Sequence, residues 1–322
     1  EPAKAALPPE KVENNEQLYL TGLHLEQYRH ATCSPLPYYR EALRRDPGDV
    51  RNNNALGLWY LRRGQFKKAE PYFRKAIETL TRRNPNPYDS EPYYNLGLSL
   101  KHQNKIDEAY DAFYKAAWSR AWKDIGYLSV AQIDMLRGDY ELALEHATYA
   151  IDNNANNSKA YVLKAASLAE LQRLDEALQV CESGLERDKF NFGLLFHKGI
   201  IEARLGKTKE SVKAIEEIIK LSRGNVQSLI EYTLDYADAG MATCAIEMVN
   251  HAHASAWEND NYPMFHYYLA YFYPHQSEAF QEHLLKAASA DSYLCFPDRL
   301  QDVNVLQFAI DNNSSDSKAP YY

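Results

Sequence analysis

Five of the ten histidines, His251, His253, His266, His275 and His283, share one short window with Asp260. Imidazole nitrogens and a carboxylate are what a divalent metal such as zinc takes as ligands, so this window is the first candidate for chemistry. Its spacing argues the other way. His251 and His253 are two apart and point to different sides of a helix, and the others fall on separate elements without a finger or zincin interval. No metal and no cofactor are expected. Acid–base catalysis has no firmer footing. Carboxylate pairs such as Asp107 and Glu108 stand where a helix begins, and negative charge there complements the helix dipole. The sequence contains no Gly-rich phosphate loop, nucleophile elbow or Ser/His/Asp order, so the segment reads as non-catalytic.

Binding remains, and composition narrows the partner. Lys plus Arg number 36 against 44 acidic residues, a net charge of −8 with no sustained basic run. Nucleic acid and anionic membranes need a concentrated positive face, so neither is expected as a partner. No apolar run reaches the ~18–20 residues of a membrane span, and the first residues lack the basic and apolar blocks expected of a signal peptide. The four cysteines, Cys33, Cys181, Cys244 and Cys295, lie far apart, and Cys181 falls where a packing residue belongs. They read as reduced, mostly buried thiols, which places the chain in a cytoplasm.

The elements that would position a binding surface are written as a repeat. Gly57, Ala69, Phe73 and Ala76 recur as Gly97, Ala109, Phe113 and Ala116. After Gly97 the interval is strict: Gly97, Ala131, Ala165, Gly199 and Thr233 are each 34 residues apart, and Ala109, Ala143, Ala177, Ser211, Ala245 and Ala279 keep the same step. A small residue once per helix lets two axes approach closely, while large residues three and four away fill the grooves beside it. Gly64, Gly138, Gly206 and Gly240 sit between paired helices, where positive φ ends the first one. The interval from Gly57 to Gly97 is 40, because the helix after Phe73 overruns before the loop 84–89 stops it.

A 34-residue helix–turn–helix with these small and aromatic positions resembles the tetratricopeptide repeat over about residues 15–290. The resemblance implies an all-α, right-handed solenoid of about eight helix pairs. Residues 19–32 and 111–118 further resemble bacterial proteins of uncharacterised function in which such an array follows a β-sandwich similar to sugar-binding folds. The expected organisation is a linker over 1–14, the array over 15–290, an irregular stretch with one unpartnered helix over 291–317, and the start of a further repeat at 318–322. Residues 318–322 echo 90–94, so the segment reads as cut from a longer protein.

In this repeat the first helix of each pair lines the concave face. Its outward positions read Leu58, Arg62, Tyr94, Asn95, Leu98, Lys101, Leu128, Val162, Phe196, Ile200, Ile230 and Leu234. That strip is apolar enough to hold a helix or loop of a protein partner, or another domain of the same polypeptide. The competing reading is that half of these side chains pack against neighbouring repeats. Some family members hold a peptide's carboxylate with Lys, Asn and Arg; Asn95 matches one such position, but Asn54 and Leu58 stand where Lys and Asn are required. The alternative function is the helical part of a carbohydrate-active enzyme whose active site lies outside the segment.

Overall fold

Glycine and aromatic residues explain how the helices pair. A Cβ on Gly22 would fall 2.4 Å from the Tyr39 ring, one on Gly57 2.6 Å from Phe73, and one on Gly97 2.5 Å from Phe113. The same ring fills the same notch three times. Each aromatic is fully buried, and Ala42, Ala76 and Ala116 beside them are buried as well. The computed structural model describes residues 5–28, 32–223, 225–255, 262–293 and 295–322, and every regular element among them is helical. By contacts the chain divides into residues 1–126 and 127–322.

Unit 1 holds three pairs: α1 (Asn15–Gln27) with α2 (Leu36–Arg45), α3 (Val50–Leu61) with α4 (Phe66–Thr81), and α5 (Glu91–Lys101) with α6 (Ile106–Ala116). The expected overrun is present, since α4 continues 16 residues to Thr81. Residues 5–14, expected as a linker, instead dock on α2. Arg45 donates to the carbonyls of Val12 (2.8 Å) and Pro9 (3.2 Å), and Tyr38 Oη donates to that of Leu7 (2.9 Å). Val12 is buried with Leu18, Leu25 and Tyr38. Burial of Val12 and capture of these carbonyls are long-range effects that a polar, proline-bearing leader does not announce.

Unit 2 contains α7 (Lys123–Arg137) from Tyr127 onward, then α8 (Tyr140–Asn153), α9 (Ser158–Glu170), α10 (Leu174–Arg187), α11 (Phe192–Arg204), α12 (Thr208–Ser222), α13 (Val226–Asp238), α14 (Ala242–Ser255), α15 (Pro263–Phe272), α16 (Glu278–Ser289) and α17 (Leu300–Asn312). Asn157, Asn191 and Asn225 each cap a first helix by accepting from the backbone N–H three residues on. The turn inside a pair needs one left-handed residue. Gly138, Gly206 and Gly240 supply it at φ 74–79°, but Gln172 does so at φ 62° without a glycine's freedom.

The expectation of an unpartnered last helix is corrected: α17 packs on α15. Buried Asp302 of α17 accepts from Tyr268 Oη and from the backbone N–H groups of Asp298 and Arg299. Residues 317–321 form bends and turns rather than a helix start. Asp316 accepts from Tyr267 Oη at 2.7 Å, and Ala319 is buried. The backbone N–H groups of Lys318 and Ala319 donate to Asp316 Oδ1, and that of Tyr321 donates to the Lys318 carbonyl, in place of a helical ladder.

Candidate functional site

The inner positions of the first helices behave differently in the two units. In unit 1, Leu58, Tyr94, Leu98 and Lys101 are half-buried and Arg62 is exposed. Leu20 of α1, two residues before Gly22 as Ala55 is before Gly57, is 50% exposed. Polar contacts hold this face in place. Asn95 is buried and donates to Asn54 Oδ1 (3.0 Å), so the one residue matching the carboxylate-holding pattern is spent on its neighbour. Arg62 pairs with Glu26 at 2.7 Å, and the same glutamate accepts from Tyr39 Oη at 3.0 Å. Tyr94 lies between the rings of Phe113 and Trp122, at 5.4 and 5.3 Å.

In unit 2 the corresponding residues are packed away, which corrects the groove reading there. Val162 is 5% exposed, Phe196 1%, Ile230 0% and Leu234 5%; Leu128 packs half-buried against Ala131 and Met135. The reason is α13. Tyr236 Oη donates to Gly193 O of α11 at 2.8 Å, and Asp235 pairs with Lys159 of α9 at 2.7 Å. The Tyr232 ring lies 2.5 Å from where a Gly193 Cβ would be, with Val162 adjacent. At the far end Ala239 joins Met135 of α7 and Leu163 and Ala166 of α9 in one buried cluster. So α13 crosses the inner positions of α7, α9 and α11, and its Ile230 and Leu234 sit in the core it completes. Tyr232, Asp235 and Tyr236 were not legible as site residues, because nothing in their spacing departs from the repeat.

A cavity of about 460 Å³ is lined by Ile200, His197 and Arg204 of α11 and by the turn from α13 into α14. Both ring nitrogens of buried His197 lack partners. Burial, with the Arg204 charge adding to it, pushes its pKa down to about 4.

Among its described residues the histidine window brings only two imidazoles together. His266 and His283 face each other through Nδ1 at 3.2 Å, His275 meets Asn312 at 2.9 Å, and His251 lies against Phe196. The side chain of His253 and all of Asp260 fall outside the described residues. Among the described residues no three His, Cys, Asp or Glu side chains gather as metal ligands, and no helix is long and apolar enough to cross a membrane. Cys181 is buried at the packing position expected of it, and burial pushes its thiol pKa up to about 12.

Family comparison matches the description "Tetratricopeptide repeat" over residues 36–86, 90–117 and 131–192. The TPR repeat-containing protein YpiA of Bacillus subtilis is 21% identical over 221 residues, covering 68% of this chain and 50% of that protein. The peroxisomal targeting signal receptor of Kluyveromyces lactis is 20% identical over 172 residues, covering 51% and 30%. The chain thus spans half or less of the length of these curated relatives. In three dimensions it is similar to the C-terminal part of a TPR repeat-containing protein from Cytophaga hutchinsonii, with a TM-score of 0.52, 12% identity, and coverage of 74% of this chain and 93% of that one. The notch-and-ring pairing of the helices, the 34-residue step and the family match agree that residues 36–86, 90–117 and 131–192 carry tetratricopeptide repeats.

Proposed function

We propose that the chain is a non-catalytic scaffold that holds a protein or peptide segment on the first-helix face of unit 1. The observation that carries this reading is the contrast between the units: Leu20, Leu58, Tyr94 and Leu98 keep apolar surface open on helices whose polar neighbours are already tied to one another. Partly open apolar positions on a preorganised surface suit an extended or helical segment, with Lys101 and the Glu26–Arg62 pair at its polar margin. A relative named as a targeting-signal receptor supports peptide recognition as the class of function. In unit 2 the equivalent role is filled from within, α13 acting as a built-in occupant of the inner face.

Leu58→Glu and Leu98→Glu test the reading. Both side chains are half-buried rather than core, so the variants should keep wild-type helicity by circular dichroism while losing the polypeptide that the wild-type chain is expected to capture in a pull-down from the source cells. Retention of that polypeptide by both folded variants would rule out this face.

A further inference from the structure

The feature of unit 2 that the scaffold role leaves unexplained is the lone imidazole of His197. It is 1% exposed, and neither ring nitrogen has a hydrogen-bond partner. With a pKa near 4 the ring is neutral at physiological pH, one nitrogen a donor and the other an acceptor. Buried groups of this kind are almost always satisfied, and an exception calls for an explanation. The ring lines the cavity of about 460 Å³, a size within the ~300–1,000 Å³ of small-ligand sites.

The cavity wall supplies both donors and acceptors. Met135, Ile200 and Ala239 make it apolar in part. Arg204 presents its guanidinium, which is also held by Glu170 (2.9 Å) and Ala169 O (3.3 Å). The opening turn of α14 forms another side. There Met241 is the capping residue, since Ala245 N donates to its carbonyl at 3.0 Å, and a thioether stands where caps normally place an oxygen. The Glu170 and Glu247 carboxylates are the acceptors. One guanidinium and a helix N-terminus against two carboxylates leave little net charge. A bare anion would meet the glutamates, and a bare cation would meet Arg204 and the α14 dipole. A neutral end group that accepts and donates at once matches all of them.

We infer that this cavity takes a primary carboxamide, the end group of glutamine and asparagine. Its carbonyl oxygen accepts from Arg204 or the first turn of α14, and its NH2 donates to Glu170 and to the acceptor nitrogen of His197. The site uses only unit 2 residues and stands whether or not unit 1 binds a partner.

The test titrates the full chain, with 15N-labelled histidine, against N-acetylglutamine N-methylamide. The His197 ring signals are assigned by their absence from the spectrum of His197→Phe. The inference expects a saturable shift of that ring, with affinity on the order of millimolar for so small a ligand. The capped glutamate and capped lysine analogues should bind at least ~10-fold more weakly. Free glutamine, with the same carboxamide but charged ends, separates the sources: tighter binding of the capped form points to a partner polypeptide, and tighter binding of the free form to the amino acid. Arg204→Gln, at a side chain 40% exposed, should keep the fold and weaken the capped-glutamine shift severalfold. Equal or tighter binding of the glutamate or lysine analogue, or a His197 ring that none of the amides moves, would overturn the assignment.

Discussion

Adding one methyl group to two equivalent glycines should move stability in opposite directions. Gly97 and Gly199 hold the same place in their repeats, and an Ala at either gains about 1 kcal/mol of helix propensity. At Gly97 the new Cβ meets Phe113 Cε1 at 2.5 Å, Cδ1 at 2.6 Å and Cζ at 2.9 Å. That ring is fully buried between helices, so it cannot swing clear, and overpacking of this kind costs ~1–3 kcal/mol. Gly97→Ala should therefore be destabilising by about 0–2 kcal/mol net, and Gly97→Leu by more. At Gly199 the nearest atoms are Ala214 Cβ at 3.3 Å and Ser211 O at 3.4 Å. A shift of a few tenths of an ångström accommodates the methyl, so Gly199→Ala should be neutral to stabilising by up to about 1 kcal/mol. Urea unfolding followed by circular dichroism reads the order directly. If Gly97→Ala proves as stable as wild type while Gly199→Ala loses stability, the ring-in-notch account of pairing is wrong.

Three further outcomes follow from single contacts. Gln172 holds a left-handed turn at φ 62°, so Gln172→Gly should raise stability by ~0.5–1 kcal/mol in the same assay, and a loss would mean the Gln side chain contributes more than its backbone costs. Tyr236→Phe removes the donor to buried Gly193 O and should cost ~1–2 kcal/mol; hydrogen exchange should show α13 opening more readily, and unchanged protection would count against its docking. His197 binds its proton at pH 6.5 when unfolded but only at about 4 when folded. Its contribution is thus present above pH 6.5 and lost as pH falls through 4, about 3 kcal/mol at most, and His197→Phe should flatten that part of a stability–pH curve.

How legible the fold was depends on how local each contact is. Gly57 facing Phe73 and Gly97 facing Phe113 join neighbouring helices, and such pairs repeat because the packing repeats, so identity and spacing expose them. The inner face is another matter. Val162, Phe196, Ile230 and Leu234 are apolar whether they await a partner or are covered by α13, and Thr233 and Ala245 keep the 34-residue step in either case. How tightly successive pairs curl is set by contacts such as Lys159 to Asp235, 76 residues apart, which periodicity does not encode. Arg45 reaching back to the carbonyls of Pro9 and Val12 is hidden for the same reason. His197 left no signal at all, since a single histidine on an apolar helix face looks like any other core residue until its nitrogens are seen without partners.

The central claim is that the inner face is open to a partner in unit 1 and filled by α13 in unit 2. Photo-crosslinking in the source cells tests both halves, with a benzophenone side chain placed at Leu98 in one chain and at Tyr232 in another, and the products mapped by mass spectrometry. The account predicts that Leu98 captures a separate polypeptide, whereas Tyr232, which lies against Gly193 and Val162, captures residues of α9 and α11 of its own chain. Capture of a separate polypeptide from Tyr232, with none from Leu98, would contradict it.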